Sequence, residues 1–309
     1  MFSDLKICII GDGTHSKRIQ SILRKKLLKF EIYKPKNKKK YKLENIKKLK
    51  TYDAVIIASP DDTHFHYIKE LYRDCYIFCE KPPTNNLSDF KKLKLIDTDK
   101  LYFNFNFRFS KFAQTILESD KFNLGNLVYA NLLNCHGLAL KKEYSKSWRA
   151  NRKRNKTGIM GIVSIHLIDL LNYTYGINKI ISNRVLNLSK YGNSYDNNII
   201  RIKLNNDAVA DIFCSYTVPL ISKDTFIYDN GVIEKDSSSI TIKGPALNLN
   251  KNNFIKSPKI LKKINFDDVQ DSMNSIEKSI TYFMSKVISG KKFKKVEAQI
   301  GLKSNSYVL

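Results

Sequence analysis

Two short polar motifs, about 70 residues apart, carry the residue types in this chain that could do chemistry. Gly11-Asp12-Gly13 follows an apolar run at 5–10, and Glu80-Lys81-Pro82 follows an apolar run at 75–79. Paired glycines after a buried strand allow a tight turn and a close backbone approach to a pyrophosphate. A lysine at a strand end can give or take a proton. The motifs therefore predict a dinucleotide site with a charged residue at the carboxyl edge of its sheet.

The first motif opens a stretch, 14–28, whose pattern predicts a helix. The amides at the start of that helix, near Thr14 and His15, can hold phosphate. The third glycine of the usual fingerprint is absent, and Ser16 stands in its place. Serine is small, so close helix–strand packing stays possible. We predict that Gly11, Gly13, Thr14 and His15 contact a cofactor, and a plain structural turn is the alternative.

The second predicted strand, 30–33, ends without the acidic residue that often binds a ribose 2′-hydroxyl. Lys34 stands there, and more lysines follow at Lys36, Lys38, Lys39 and Lys40. A lysine at this point can meet the 2′-phosphate of NADP, whereas a solvated basic loop is the alternative interpretation. The expected cofactor is NADP or NAD, with NADP favoured by Lys34.

Length and composition set the class of protein. The chain has 309 residues, enough for two cores, and 42% of them are hydrophobic. No apolar run approaches 18 residues, and the N-terminus enters a strand directly, so we expect neither a membrane span nor a signal segment. The odd, scattered cysteines predict reduced thiols, no metal site and a cytoplasmic location; they are Cys8, Cys75, Cys79, Cys135 and Cys214.

The formal net charge of +25 raises the question of an anionic partner. Nucleic acid is one hypothesis, but lysine is spread along the whole chain and no nucleic-acid-binding motif is present. We therefore expect no nucleic-acid partner. An anionic small substrate, such as a nucleotide sugar, is an equally good use of positive potential.

Strands and helices alternate in the first third of the chain, which predicts a doubly wound parallel sheet. Further strands are expected at 52–58, 75–79 and 101–108, with a helix from Asp61 to about Arg73 capped by Asp62 or Thr63. The remainder favours sheet, with strands at 184–188, 198–204, 208–216, 224–228 and 239–242. A long amphipathic helix is expected at 269–289, ended by Gly290.

Five segments in order resemble those of the Gfo/Idh/MocA family, the glucose–fructose oxidoreductase and inositol dehydrogenase group. They are 11–13, 58–64, 80–82, 106–109 and 158–169. The resemblance implies a Rossmann domain at 1–108, followed at 109–309 by an α+β substrate-binding and oligomerisation domain with a large, mostly antiparallel open sheet. It also implies NAD(P)-dependent hydride transfer on sugars or related compounds, and a homo-oligomer.

The same resemblance assigns roles near the predicted cofactor. Lys81 would point between nicotinamide and substrate as the catalytic acid or base, next to Glu80, and the Lys81–Pro82 bond would be cis. Ser59, Pro60 and His64 would contact the cofactor, unless this loop is only a helix cap. Arg108 would be a strand-end arginine near the substrate, or one half of a structural ion pair.

In the second part, the predicted helix at 160–171 carries His166 and Asp169 three residues apart, close to one face. The resemblance makes His166 a catalytic acid or base and places Asp169 near the substrate. Inositol dehydrogenase-like members have an aspartate four residues before the histidine, where this chain has Ile162. His166 would therefore act alone or with Lys81, and a core histidine is the alternative.

Trp148 and Arg149 precede a basic stretch at 152–156. A similar segment borders the substrate pocket in family members that act on nucleotide-linked sugars; a flexible charged loop is the alternative. An aromatic ring can cover a sugar face, and arginine can hold phosphate with two hydrogen bonds. The function expected is an NAD(P)-dependent sugar or nucleotide-sugar dehydrogenase. A catalytically weakened or regulatory cofactor-binding member of the same fold is the alternative.

Overall fold

The computed structural model describes residues 5–34 and 46–309. The first third of the chain builds a five-stranded, all-parallel sheet in the order β2-β1-β3-β4-β5. Its strands are β1 Ile7–Ile10, β2 Glu31–Tyr33, β3 Ala54–Ile57, β4 Tyr76–Glu80 and β5 Leu101–Asn104. Its helices are α1 Thr14–Lys25, α2 Ile46–Leu49, α3 His64–Leu71 and α4 Leu87–Leu93. The predicted doubly wound parallel sheet is confirmed.

The second half builds an eight-stranded sheet in the order β13-β12-β11-β10-β6-β9-β8-β7. The pair β6–β9 is parallel and the other pairs are antiparallel. The strands are β6 Leu127–Cys135, β7 Ile177–Leu186, β8 Asn197–Leu204, β9 Val209–Ser215, β10 Ile221–Tyr228, β11 Gly231–Lys235, β12 Ser239–Gly244 and β13 Lys259–Asn265. The helices are α5 Lys111–Leu117, α6 Ile165–Thr174, α7 Asp268–Ser289 and α8 Lys295–Ser306. The expected large, mostly antiparallel sheet is confirmed.

Alternation along the strands gives this second sheet one buried and one open face. On β8, Ile200 and Ile202 are fully buried, whereas Ile199 and Arg201, which alternate with them, are exposed. The open face therefore carries side chains that this chain alone leaves in contact with water.

Contacts along the chain define two compact units. Of the described residues, the first unit comprises 5–34, 46–106, 276–307 and 309, and the second comprises 107–275 and 308, so the main division falls within α7. The resemblance implied that all of 109–309 belongs to the second domain. Residues 276–307 instead belong with the first sheet, because Phe283 packs edge-on against Phe78 at 5.4 Å and stacks on Phe293 at 5.9 Å.

Several elements differ from the sequence expectation. The strand predicted to reach Arg108 ends at Asn104, because a 3-10 turn at Asn106–Phe109 takes over. A π-helical turn at Met160–Ser164 precedes α6 in the segment predicted as a single helix. Seven strands and helices among the described residues had no predicted counterpart: β6, β11, β13, α2, α4, α5 and α8. Within the described residues, no helix combines the length and the apolar character needed to cross a membrane.

Candidate active site

The loop after β1 brings two strand ends close together. Gly11 has φ +108°, and a Cβ at this position would lie 2.6 Å from the carbonyl oxygen of Ala58, just after β3. Only glycine adopts this conformation without strain and leaves room for that oxygen. The Ser16 hydroxyl donates a hydrogen bond of 2.9 Å to the Gly11 carbonyl, and Ser16 is fully buried. Serine thus gives the close packing that a third glycine would otherwise allow.

Gly13 has a different environment. It precedes α1 in extended conformation, and a Cβ built on it would meet no protein atom within 4 Å. The space over the exposed start of α1, where Thr14 lies, is therefore open, and backbone amides in the first turn of a helix lack helical partners. Such a position suits a pyrophosphate, so the loop fits a dinucleotide.

Lys34, at the end of β2, forms an ion pair with the phosphate loop itself. Its Nζ lies 2.6 Å from Oδ2 of Asp12, and Gln20 donates to Oδ1 of the same carboxylate at 3.1 Å. These two hydrogen bonds lower the pKa of Asp12. Lys34 is 63% exposed, so it can still meet a ligand, but in competition with Asp12. The sequence analysis also pointed to four lysines after Lys34. They lie outside the described residues: Lys36, Lys38, Lys39 and Lys40.

Glu80 ends β4 in a buried hydrogen-bond network. Its Oε1 is 2.7 Å from Nε2 of His15 and accepts a hydrogen bond of 2.7 Å from Nδ2 of Asn104. Burial alone would raise the pKa of Glu80, but the charge of His15 and the hydrogen bonds from His15 and Asn104 outweigh it and lower the pKa. Ser279 of α7 in turn donates to Oδ1 of Asn104 at 2.6 Å. The network fixes an ionised carboxylate next to Lys81.

The segment that follows Lys81 is held by two side chains. The Lys81–Pro82 bond is cis, as expected. His64 lies with Nδ1 2.8 Å from the Pro82 carbonyl and Nε2 3.0 Å from the Ser59 carbonyl, which ties the loop after β3 to the loop after β4. Ser59 is also 2.6 Å from the hydroxyl of Thr63. His64 is almost fully buried, while Pro60 is exposed.

Asn305, near the end of α8, holds the same segment by its backbone. Its Oδ1 accepts a hydrogen bond of 3.0 Å from the Thr84 amide, and its Nδ2 donates one of 3.0 Å to the Thr84 carbonyl. Both residues are buried. The side-chain amide of Asn305 thus pairs with the backbone of Thr84 as a neighbouring strand would. Thr84 lies three residues after Lys81, so this pairing holds the segment that follows Lys81.

In the second unit, Arg108 and Asp169 form a buried ion pair. Nε and Nη2 of Arg108 donate to the two carboxylate oxygens of Asp169, both at 2.7 Å. The side chains are 7% and 1% exposed. The Arg108 guanidinium also lies over the Tyr173 ring, 5.1 Å from its centroid. This is the structural pairing that the sequence left open for Arg108, and Asp169 directs both of its oxygens at that arginine.

His166 and the tryptophan–arginine segment also lie in the second unit. His166 is half-buried on α6 and stacks on Phe107, with ring centroids 4.5 Å apart. The Arg149 guanidinium lies over the Trp148 ring, 4.8 Å from its centroid. The structure thus joins Glu80 with His15 and Asn104 in the first unit, where Lys81 follows Glu80 in the chain, and Arg108 with Asp169 in the second.

Sequence reasoning missed three residues of the first-unit network: Asn104, Ser279 and Asn305. Asn104 had a detectable signal, because a polar residue that ends a parallel strand beside Glu80 belongs at the ligand edge of the sheet. Ser279 and Asn305 lie about 175 and 220 residues further along the chain than their partners, and no local pattern marks them.

Two family models match the chain. The one described as "Oxidoreductase family, NAD-binding Rossmann fold" matches residues 7–100, and "Oxidoreductase family, C-terminal alpha/beta domain" matches residues 120–244. The chain belongs to the Gfo/Idh/MocA oxidoreductase family. The resemblance drawn from the five sequence segments is confirmed, and the protein is an NAD-binding oxidoreductase of this family.

Several solved oxidoreductase structures share the fold of this chain. An oxidoreductase from Agrobacterium radiobacter in complex with NAD+, L-tartaric acid and magnesium has a TM-score of 0.75 at 17% identity, over 99% of this chain and 94% of that one. Levoglucosan dehydrogenase with NADH and levoglucosan has a TM-score of 0.75 at 13% identity, over 97% and 94%. A myo-inositol dehydrogenase from Corynebacterium glutamicum has a TM-score of 0.70 at 16% identity, over 98% and 94%. No curated protein matched the chain in a sequence search.

Proposed function

We propose that this oxidoreductase transfers a hydride between a nicotinamide dinucleotide and a hydroxyl-bearing or carbonyl carbon of a sugar or nucleotide sugar. The observation that carries the proposal is the arrangement at the carboxyl edge of the first sheet. Lys81 follows β4 next to the ionised Glu80, and Glu80 is bonded to His15 of the phosphate loop. This arrangement supports a role for Lys81 in proton transfer, because Lys81 follows a carboxylate that is bonded to the element suited to the cofactor pyrophosphate.

The proposed mechanism divides the work between the cofactor and the side chains. A bound nicotinamide supplies or accepts the hydride. Lys81 would bind the substrate oxygen, taking its proton in oxidation or donating one in reduction. Glu80 would keep Lys81 in place and compensate its charge, since the two residues interact electrostatically. His166 would be a second proton carrier on the substrate.

The sugar class rests on relatives. Levoglucosan dehydrogenase and the myo-inositol dehydrogenase share the fold of this chain, and their names indicate a carbohydrate and a cyclitol as substrates. A regulatory, cofactor-binding role is the second candidate, because Ile162 stands where inositol dehydrogenase-like members have an aspartate.

The proposal is tested in two stages on the purified protein. Binding of NADH and NADPH is first followed by nicotinamide fluorescence. Free sugars and UDP-sugars are then screened for an absorbance change at the nicotinamide band. We expect dinucleotide binding and at least one substrate. Dinucleotide binding without turnover of any sugar would favour the regulatory role.

Cofactor selectivity provides a test of the second strand end. We propose a modest preference for NADP(H), limited because Asp12 pairs with Lys34. Lys34→Ala should weaken NADPH binding about 2- to 5-fold relative to NADH, the size of an exposed ion pair, and Asp12→Asn should shift the ratio the opposite way. Dissociation constants at low and moderate salt measure this. Lys29→Ala is the control for a general loss of charge, and tighter NADH binding that is insensitive to Lys34→Ala would contradict the preference.

A second prediction concerns the hold of Asn305 on the Lys81 segment. Asn305→Ala leaves the buried amide and carbonyl of Thr84 unpaired, so we expect a loss of about 1–3 kcal/mol in the free energy of unfolding. We also expect kcat to fall about 10-fold, with NAD(H) affinity nearly unchanged, because misplacement by a fraction of an ångström slows chemistry. Denaturant unfolding and steady-state kinetics measure the two effects.

Leu302→Ala is the matched control, since Leu302 is buried on the same helix. It should destabilise the fold by about 2–5 kcal/mol while kcat of the folded enzyme is kept. An equal fall of kcat in both variants would show that Asn305 serves stability alone.

We further propose that the protein is a homo-oligomer paired through the open face of the second sheet. Ile199, Phe213, Leu133 and Lys223 stand opposite one another across β8, β9, β6 and β10, and Ile199 is 45% exposed. A row with three large apolar side chains on one sheet face favours a protein partner.

An aspartate in this row should disrupt the proposed pairing. Ile199→Asp should lower the molar mass measured by light scattering on a sizing column to that of one chain. Leu95→Asp, an exposed leucine in the first unit, should leave the mass unchanged. A wild-type protein of single-chain mass would contradict the assembly.

A cytoplasmic location is proposed from the thiols. All five cysteines are buried and free. Burial raises the pKa of the Cys8 thiol to about 12 and that of Cys75 to about 11, so these thiols resist ionisation and oxidation. Free thiols are usual in a reducing compartment.

A further inference from the structure

A hairpin between β12 and β13, residues 245–258, exposes large apolar side chains to solvent. Six such side chains are exposed within 247–261: Leu247, Leu249, Phe254, Ile255, Ile260 and Leu261. The two that follow the turn of the hairpin, Phe254 and Ile255, are 69% and 79% exposed. Single exposed apolar residues are normal on a protein surface, but a concentration of them on one segment indicates an interaction surface.

Hydrogen bonds fix the hairpin in this conformation. Leu249 and Ile255 form an antiparallel bridge. The Asn250 amide donates to the Phe254 carbonyl at 2.9 Å, and the Asn250 side-chain oxygen accepts from the Asn252 and Phe254 amides, both at 2.9 Å. An asparagine that bonds to the backbone two residues on is a common device for a tight turn. Phe254 and Ile255 are therefore exposed by a folded turn.

The hairpin and β13 carry positive charge alone. The chain has 29 acidic residues among 309, yet none lies between Asp236 and Asp267. Five lysines lie within 251–263: Lys251, Lys256, Lys259, Lys262 and Lys263. In the described part of the chain, no carboxylate lies within ion-pair distance of Lys251, Lys256 or Lys259, whereas Lys243 of β12 pairs with Glu234. The surface therefore complements an anionic partner.

Protection of the sheet edge explains only part of this composition. β13 is the edge strand of the second sheet, and lysines on an edge strand discourage pairing with other sheets. Phe254 and Ile255, however, lie beyond Gly244 and Lys259, where the pairing of β12 with β13 ends. An exposed phenylalanine and isoleucine there would promote aggregation rather than prevent it, so they indicate a partner.

The chemistry of the surface distinguishes among possible partners. The same hairpin of a second copy would bring like charges together. Nucleic acid offers phosphates to the lysines, but its bases stack on aromatic rings, and Leu247, Leu249 and Ile255 are aliphatic. An anionic lipid membrane offers phosphates to the lysines and acyl chains to the apolar side chains.

We propose that the 245–258 hairpin binds the surface of an anionic lipid membrane. Phe254 and Ile255 enter the boundary between headgroups and acyl chains, and Lys251, Lys256 and Lys259 bind lipid phosphates. This attachment to one face of a membrane needs no spanning helix. It goes beyond the proposed hydride transfer, because none of these residues belongs to the candidate active site.

Vesicle sedimentation of the full chain tests the proposal. One set of vesicles contains phosphatidylcholine mixed with phosphatidylglycerol, and the other contains phosphatidylcholine alone. We expect the protein to bind the mixed vesicles at least about 10-fold more tightly, with an affinity that falls as salt screens the lysines. Failure to sediment with the mixed vesicles, or equal binding to both sets, would overturn the proposal.

The apolar contribution is tested by a double variant. Phe254→Ser/Ile255→Ser should weaken binding to the mixed vesicles about 10- to 100-fold, because both side chains lose their burial among lipids. Leu188→Ser/Leu220→Ser is the matched control, since it changes two exposed leucines elsewhere in the second unit and should leave binding unchanged. Thermal unfolding shows that each variant is folded. Unchanged binding in the hairpin variant, or equal losses in both variants, would overturn the proposal.

The charged contribution is tested in the same way. Lys251→Gln/Lys256→Gln should weaken binding at low salt about 10- to 30-fold, as expected for two lysines at an anionic surface. Lys91→Gln/Lys92→Gln removes the same charge from exposed positions on α4 and should have little effect. Equal losses in the two variants would overturn the hairpin site in favour of general charge attraction.

Contact between copies of the chain is the competing outcome. Light scattering without lipid compares the molar mass of the wild type with that of Phe254→Ser/Ile255→Ser. A lower mass in the variant would assign the hairpin to subunit pairing and overturn the membrane site. An unchanged mass together with lost vesicle binding would support it. These measurements need neither dinucleotide nor sugar, so they are separate from the test of the proposed function.

Discussion

Replacing Lys81 with alanine should lower kcat on an authentic substrate by about 100-fold or more, the usual size of a lost acid–base group. Alanine cannot exchange a proton with the substrate oxygen, and it leaves Glu80 without the adjacent positive charge. The phosphate loop is built from Gly11, Ser16 and the start of α1, so NAD(P)H affinity should change only a few-fold. Steady-state kinetics and nicotinamide fluorescence measure the two quantities.

Two further variants make the Lys81 result specific. Lys81→Arg keeps the positive charge, but arginine stays protonated and cannot exchange a proton with the substrate. Turnover should therefore remain low. His166→Ala should have a smaller but clear effect, because Ile162 offers that histidine no carboxylate and water can substitute for it. Near-normal turnover in Lys81→Ala would exclude the proposed mechanism.

The first sheet and its ligand edge were predictable because their signals are local. Four-residue apolar runs buried on both faces, as in β1 and β3, identify parallel strands. Gly11 and Gly13 mark the turn, although for different reasons. Gly11 avoids a clash with Ala58, whereas Gly13 borders open space. The sequence showed the pair, and the structure distinguishes the two roles.

The residues that hold the strand-end segments in place were harder to predict, because they come from distant parts of the chain. Ser279 and Asn305 reach Asn104 and Thr84 only after α7 and α8 pack on the first sheet. The second sheet was partly missed for another reason. β13 carries three lysines and is exposed along most of its length, so it lacks the alternation of a half-buried strand.

The resemblance made Arg108 either a strand-end arginine near the substrate or one half of a structural ion pair. The chain leaves β5 at Asn104, and Arg108 forms an ion pair with Asp169 of α6. There both of its hydrogen bonds to Asp169 are buried. No pattern within 106–109 distinguishes these outcomes, because the deciding partner lies about 60 residues away.

Breaking that ion pair should cause the largest loss of stability. Arg108→Met leaves the Asp169 carboxylate buried without its partner, so we expect the free energy of unfolding to fall by about 3–5 kcal/mol. The double variant Arg108→Met/Asp169→Leu removes both charges and should recover most of that loss, because a well-packed apolar pair avoids the cost of burying ions. Denaturant unfolding of the wild type, both single variants and the double variant gives the coupling energy. Additive losses would mean that Arg108 and Asp169 stabilise the protein through other neighbours rather than through each other.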